Sequence, residues 1–465
     1  MELTVSVIAT SSLGDRSYLA TDGRVAVVVD PQRDVDRMLA LAGRQEVRIT
    51  HVAETHLHND YVSGGRQLAQ LTGARYLVAA AENVQFERHP VTDGDVLVLS
   101  DRMRLRVLTT PGHTFHHLSY VLEQPDGDGG WTPVGVFTGG SLLFGTTGRT
   151  DLLGAVNARE LARHQHASAR RLADLLPEGT QVWPTHGFGS YCSARQADAP
   201  ESTIGREKDV NPVLRLATDE FVAQTAELDA YPAYYAHMGV ANAAGPAPID
   251  LTPVARADAV ELRERLAAGQ WVVDLRQRRA YAATHLAGTV SLGLDGPMST
   301  WLGWLIDWGA PITLLGETPE QITDAQRELA RIGIDRPAAA ATGHPEEWVV
   351  DREQLRDLPV ADFAALAAAR NGDLRGLPRP DVVLDVRLDG EWRSGHLDGA
   401  RHIPLFQLAE RGAEIPDGAV WVHCSSGYRS SVAASLLANA GRQVVLIDDL
   451  FSHAAPAGLP LAAGG

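Results

Sequence analysis

Lysine is almost missing from this 465-residue chain: Lys208 stands alone among 41 basic residues, and the other forty are arginines. With 58 acidic residues the formal net charge is −17, and no basic stripe is present to follow a phosphate backbone, which excludes nucleic acid as the main partner. The arginine bias and the abundant alanine read as the drift of a GC-rich bacterial genome. Cysteine is nearly as scarce. Cys192 and Cys424 are the only two, which excludes a disulfide framework and a cysteine-rich zinc module. Apolar runs never approach the ~18 residues a membrane span needs. The richest, Trp301-Leu302-Gly303-Trp304-Leu305-Ile306-Asp307-Trp308, is short and carries a charge. The start, Met1-Glu2-Leu3-Thr4-Val5, has neither the basic opening nor the cleavage region of a signal peptide and reads as a first strand, so a cytoplasmic protein with no membrane partner is expected. The length predicts two to four domains, and 45% apolar with 21% charged residues is ordinary for a globular chain. A homo-oligomer stays open.

What is present begins at Thr55-His56-Leu57-His58-Asn59-Asp60-Tyr61, directly after a strand-like run over residues 47–54. Neutral imidazoles and a carboxylate on a loop after a strand form a donor set for zinc or non-haem iron. The next periodic pattern, Leu68 and Leu71 after Gly64-Gly65, predicts a helix only beyond the cluster. Later strand blocks end in Thr110-Pro111-Gly112-His113-Thr114 and Trp183-Pro184-Thr185-His186-Gly187, each aiming one histidine from a turn. A cluster of this kind recruits distant partners, and His113 and His186 are the candidates. His116 and His117 read more simply as helix-start or surface residues, and Cys192 as a buried, inert thiol.

Taken in order, the first histidine cluster, Pro111-Gly112-His113-Thr114, Phe137-Thr138-Gly139 and the terminal His186 resemble the metallo-β-lactamase superfamily over about residues 1–246. Phe137-Thr138-Gly139 with Ser141-Leu142, followed by Gly148-Arg149-Thr150-Asp151, is most similar to the persulfide dioxygenases and their glyoxalase II relatives. The resemblance implies an αββα sandwich and, in the dioxygenases, one Fe(II) held by two histidines and a carboxylate. Two positions depart from it. Tyr61 stands where the dinuclear hydrolases have a histidine, and Gly140 stands where the family has a ligating aspartate. Three outcomes are open: His58 completes an all-histidine face with His56 and His113; Asp60 turns in as the carboxylate with His186 as a further ligand; or metal affinity is lost and a scaffold remains. One Fe(II) is the expected metal, with zinc as the alternative.

Beyond Ala243-Ala244-Gly245-Pro246-Ala247-Pro248 the chain repeats itself. Val272-Val273-Asp274-Leu275-Arg276 is echoed by Val383-Leu384-Asp385-Val386-Arg387, and eleven residues after each Asp comes His-Leu-x-Gly, at His285 and at His396. Equal spacing of matched motifs predicts two related domains, at 250–350 and 360–465, each alternating strand and helix around a parallel sheet. The second copy carries Cys424-Ser425-Ser426-Gly427-Tyr428-Arg429-Ser430 between a strand and a helix. Loop N–H groups, the helix N-terminus and Arg429 favour a thiolate there, so Cys424 is expected to be a nucleophile. With Asp385-Val386-Arg387, Glu391-Trp392 and the Gly395-to-Ala400 stretch, this copy resembles the rhodanese sulfurtransferases, although Asp448-Asp449 replace a Gly-Gly pair common near the end of that family. Four residues separate Cys424 from Arg429, the loop length typical of sulfur transfer. The first copy reads Leu314-Leu315-Gly316-Glu317-Thr318-Pro319 at the matching place and is expected to be inactive.

The expected protein is therefore an α/β multidomain sulfur-metabolism enzyme. It oxidises a thiol persulfide with O₂ to sulfite and passes sulfane sulfur through Cys424, with persulfide, sulfite or thiosulfate as small-molecule partners. Thioester hydrolysis, and a non-catalytic first domain serving an active rhodanese, are the rival readings.

Overall fold

The computed structural model describes residues 3–196, 199–225, 228–373 and 376–463, so Met1 and Glu2 of the expected first strand lie outside the described residues. The chain forms two compact units, Met1–Asp250 with Ala330–Gly333, and Leu251–Leu329 with Ile334–Gly465. No described helix is long and apolar enough to cross a membrane.

The first unit is built on two sheets. One has six strands in chain order, Thr4–Thr10, Asp15–Thr21, Val25–Val29, Arg48–Ala53, Arg75–Ala79 and His89–Val91, antiparallel over the first three and parallel from there. The other runs Gln181–Pro184, Trp131–Gly139, Leu118–Pro125, Arg104–Thr109 and Val96–Val98, with only the first pair parallel. Alternation along the strands sends Tyr18, Val27, Val29 and Ala53 of the first sheet against Leu105, Val107, Tyr120, Leu122 and Phe137 of the second. The opposite face of the first sheet is covered by Met38 and Ala42 of helix Asp36–Arg44 and Leu68 of helix Gly65–Thr72. Val121, Val136 and Val182 on the outer face of the second sheet pack on Ala169, Leu172 and Ala173 of helix Ala155–Leu175. Helix, sheet, sheet and helix are thus stacked as an αββα sandwich. Leu71 differs from expectation: it is exposed, and the buried face of its helix is Leu68 with Ala69. The helix is too short for a second apolar turn, ending at Gly73 in the left-handed region (φ +69°).

The second unit holds two parallel sheets. Val290–Ser291, Trp271–Asp274, Ile312–Gly316 and Ala339–Thr342 make the first. Val360–Ala361, Gln443–Ile447, Ala419–His423, Val382–Asp385 and Arg401–His402 make the second. The buried, largely β-branched strand residues Val272, Val273, Val420 and Val422 explain why both are central strands covered on two faces. Each half adds a small antiparallel pair, His285–Leu286 with Leu355–Arg356 and His396–Leu397 with Leu461–Ala462.

Candidate functional site

In the first unit the strand ends converge on a buried histidine cluster. Strand Arg48–Ala53 delivers His56 and His58, the turn after Arg104–Thr109 delivers His113, and the turn after Gln181–Pro184 delivers His186. The ligand atoms of His56, His58 and His186 lie within 4.8 Å of one another, as do those of Asp15, Asp60 and His186. His56 and His113 meet edge to face at 4.9 Å between ring centroids. The expected residues are thus gathered in one place, none of them more than a few per cent exposed.

Their hydrogen bonds decide which atoms remain available. His113 Nδ1 donates to the Arg149 carbonyl at 2.7 Å, leaving Nε2 with no hydrogen bond and burial holding the ring neutral, at about 3. His56 Nδ1 contacts Thr55 Oγ1 at 2.9 Å; burial, with the neighbouring imidazoles, depresses its pKa well below the ordinary histidine range. His186 turns Nδ1 to Asp15 (3.0 Å) and Asp60 (3.2 Å), so its Nε2 faces His56 Nε2 at 3.5 Å. Burial opposes charge on His186, but the Asp60 and Asp15 carboxylates outweigh it and raise its pKa. Asp60 Oδ2 is paired with His186 Nδ1, while its Oδ1 makes no hydrogen bond among the described residues. Orphaned buried polar atoms are costly unless a ligand satisfies them, and neutral imidazole nitrogens beside carboxylates are a donor set for a divalent metal. The residues present therefore fit a metal, for which His186 lies with His56 and His58, with His113, and with Asp60 in sets of close donor atoms.

His58 is placed differently from its neighbours. Its Nε2 contacts Tyr61 Oη at 2.9 Å, Glu54 at 3.2 Å and Asp30 at 3.4 Å, and the Tyr61 ring stacks on it at 4.2 Å. Burial works against a charge there, but Asp30 and Glu54 prevail and lift His58 to about 10. Asp30 in turn accepts from the Thr55 backbone N–H, Thr55 Oγ1 and Thr185 Oγ1, fixing the first histidine loop against the last. The tyrosine in place of a histidine thus ties His58 into a carboxylate cage, and its Nδ1 makes no hydrogen bond among the described residues.

At position 140 the glycine does more than omit a carboxylate. A Cβ there would fall on the His113 ring, and one at Gly148 would meet His113 Nδ1, so the two glycines make the slot that ring occupies. The Gly140 N–H donates to His117 Nε2 at 3.0 Å. His117 is fully buried and stacked on His56 at 4.9 Å, contrary to its reading as a surface or helix-start residue; His116 is the exposed one of the pair. Thr110 Oγ1 holds its other nitrogen at 2.9 Å. Asp15, Asp30 and Glu54 were not singled out from sequence, although carboxylates at the ends of apolar strand patterns were a usable signal.

The second unit presents a different chemistry. Strand Ala419–His423 ends at Cys424, which is 1% exposed, and helix Tyr428–Asn439 starts four residues on. The Gly427 N–H donates to Cys424 Sγ at 3.2 Å, and Ser430 Oγ lies 3.5 Å from the sulfur. Gly427 has φ +95°, and a Cβ on it would strike Asp448 Oδ1, so the loop requires glycine on both counts. Arg429 is turned toward Glu391, at 2.5 and 2.7 Å, and also donates to Ser425 Oγ at 2.9 Å. Against burial, the Arg429 guanidinium hydrogen-bonded to Glu391 holds that carboxyl at about 2. Ser426 is exposed, and Tyr428 Oη donates to the Gly293 carbonyl at 2.9 Å.

Comparisons with known proteins agree with both halves. The metallo-beta-lactamase superfamily profile matches residues 15–186, and the rhodanese-like domain profile matches residues 370–452. Human mitochondrial persulfide dioxygenase ETHE1 is 28% identical over 220 residues, covering 47% of this chain and 76% of that protein. A hydroxyacylglutathione hydrolase of Pseudomonas putida is 32% identical over 235 residues, covering 44% of this chain and 83% of the hydrolase. The crystal structure of a metallo-beta-lactamase from Staphylococcus aureus subsp. aureus COL superposes with a TM-score of 0.66 at 28% identity, covering 74% of this chain and 100% of that one. Sandwich, histidine cluster and sequence likeness agree: the chain belongs to the metallo-β-lactamase superfamily and carries a rhodanese-like domain in its C-terminal part.

Proposed function

We propose that this chain is a sulfur-metabolism enzyme that carries sulfane sulfur on Cys424 and oxidises a low-molecular-weight thiol persulfide with O₂ to sulfite at one Fe(II) in the first unit. The observation that carries the reading is the Gly427 N–H aimed at Cys424 Sγ, 3.2 Å away, in a loop that opens directly into a helix. A thiolate there gains a hydrogen bond and the positive end of the helix. It attacks the outer sulfur of a persulfide; the donor S–S bond breaks, the donor leaves as a thiolate, and Cys424 carries the sulfur as its own persulfide. Sulfite then takes that sulfur, giving thiosulfate and restoring the thiolate.

The oxidative half is supported by the likeness to ETHE1, which is named a persulfide dioxygenase, and by the buried cluster in which His56, His58, His113 and Asp60 each share a set of close donor atoms with His186. When bound there, iron supplies the electron transfer between persulfide sulfur and O₂. The protein's part is to orient the donors. Arg149 O fixes the His113 tautomer, while Asp15 and Asp60 fix that of His186.

Thioester hydrolysis is the second reading, favoured by the 32% identity to a hydroxyacylglutathione hydrolase. It needs a second metal, for which neither Tyr61 nor Gly140 supplies the ligand. Metal content and turnover separate the two readings. Near-stoichiometric iron with oxygen uptake on addition of a small persulfide is expected. Bound iron without uptake overturns the oxidative half, and two zinc ions with thioester turnover would establish the hydrolase. Cys424→Ser abolishes cyanide- and sulfite-dependent sulfur transfer; transfer retained at the wild-type rate overturns the assignment to Cys424.

A further inference from the structure

The thiol that composition left as inert filler lies inside the histidine cluster. Cys192 is 0% exposed, and its Sγ lies within 4.8 Å of the ligand nitrogens of both His113 and His186. The turn that follows His186 brings it there. The Arg149 N–H donates to the Cys192 carbonyl at 2.8 Å, while Ser190 Oγ accepts the Cys192 N–H at 3.2 Å, so the backbone on both sides is pinned. Beside the sulfur, His113 Nε2 makes no hydrogen bond among the described residues, and His113 is 0% exposed.

We propose that Cys192 is a metal ligand, its thiolate joining His113 and His186 to supply the anionic donor that Gly140 lacks. The inference rests on the reading that the histidine cluster holds a metal, and it changes the character of that site. A hard carboxylate at position 140 is impossible while the His113 ring fills the space a Cβ would take. A thiolate approaching from the turn after His186 restores the negative charge from another direction with a softer donor, which suits iron or zinc. In the absence of metal, burial together with Asp60 and Asp15 pushes the Cys192 thiol up, so binding displaces its proton to solvent.

The test uses the full chain with Cys424→Ser, in which Cys192 is the sole remaining cysteine. Zinc-loaded protein is expected to show one sulfur scatterer at ~2.3 Å in X-ray absorption. Cobalt-loaded protein is expected to show a thiolate-to-cobalt charge-transfer band that disappears when Cys192→Ser is added. The first measurement does not depend on the double variant folding. Metal bound with nitrogen and oxygen scatterers alone overturns the role of Cys192 and leaves the metal-site reading standing. Failure to bind zinc, cobalt or iron overturns both.

Discussion

The two halves of the second unit are built alike to within a hydrogen bond. Asp274 grips Arg276, which also donates to the Thr284 carbonyl; Asp385 grips Arg387, which donates to the Gly395 carbonyl. In each, a histidine Nδ1 meets a carbonyl four residues back and its ring stacks on the aromatic residue there, Tyr281 under His285 and Trp392 under His396. They part most sharply after the strand that leads into the Cys424 loop of the second copy. Strand Ile312–Gly316 is followed by Glu317, Thr318 and a helix at Pro319, whereas Ala419–His423 is followed by Cys424, Ser425, Ser426, Gly427 and a helix at Tyr428. The first copy has therefore lost the loop as well as the sulfur, and a side-chain exchange cannot return its chemistry. What it keeps is architecture, including a contact with the Cys424 loop: Arg278 and Arg279 both bind Asp448, whose carboxylate lies against Gly427.

The largest effects should fall on what the copies share. Asp274→Asn and Asp385→Asn each leave a buried guanidinium without its partner, a loss of about 3–5 kcal/mol. Hydrogen exchange resolved by peptide should show Asp274→Asn opening residues 271–316 and Asp385→Asn opening residues 382–423. If only Asp385→Asn does so, the equivalence of the two frameworks is broken. Asp448→Asn is expected to cost less, about 1–3 kcal/mol, because Arg278 keeps Asp295 at 2.5 Å and Arg279 is largely exposed. Its signature is different: exchange should rise on both sides of the contact, around Arg278 and around Asp448. A rise confined to the second copy would show that the first does not brace the loop.

How much of this was legible in advance follows the distance between partners in the chain. The Cys424 loop is one contiguous stretch, so residue order alone carried the cysteine, the glycine and the helix start. The αββα sandwich was legible because strand patterns and histidine turns came in a familiar order. The interior of the histidine cluster was not. His117 is buried because Thr110 and the Gly140 N–H take both its nitrogens, and Asp15 reaches His186 across 171 positions of sequence. Neither contact has a local pattern. Asp448-Asp449 read as a departure from family composition, yet they bind the other copy and accept the Phe363 N–H, which only the assembled sheets reveal.

The smallest expected effect probes a charged pair beside the Cys424 loop that the first copy lacks. Glu391 binds Arg429 and Ser425 in the second copy, and its carboxyl is held at about 2 because the Arg429 guanidinium outweighs burial. A carboxyl depressed on folding stabilises the native state fully above its unfolded pKa of ~4.3 and loses that contribution as pH falls through the folded value. The wild-type chain should therefore lose stability in the second unit between about pH 4.5 and pH 2, by on the order of 1–2 kcal/mol more than Glu391→Gln, after discounting for the pair's partial exposure. Denaturation monitored by exchange in residues 419–439 at pH 6, 4 and 3 reads the difference. Parallel pH curves for the two proteins would mean that the pair contributes nothing to stability.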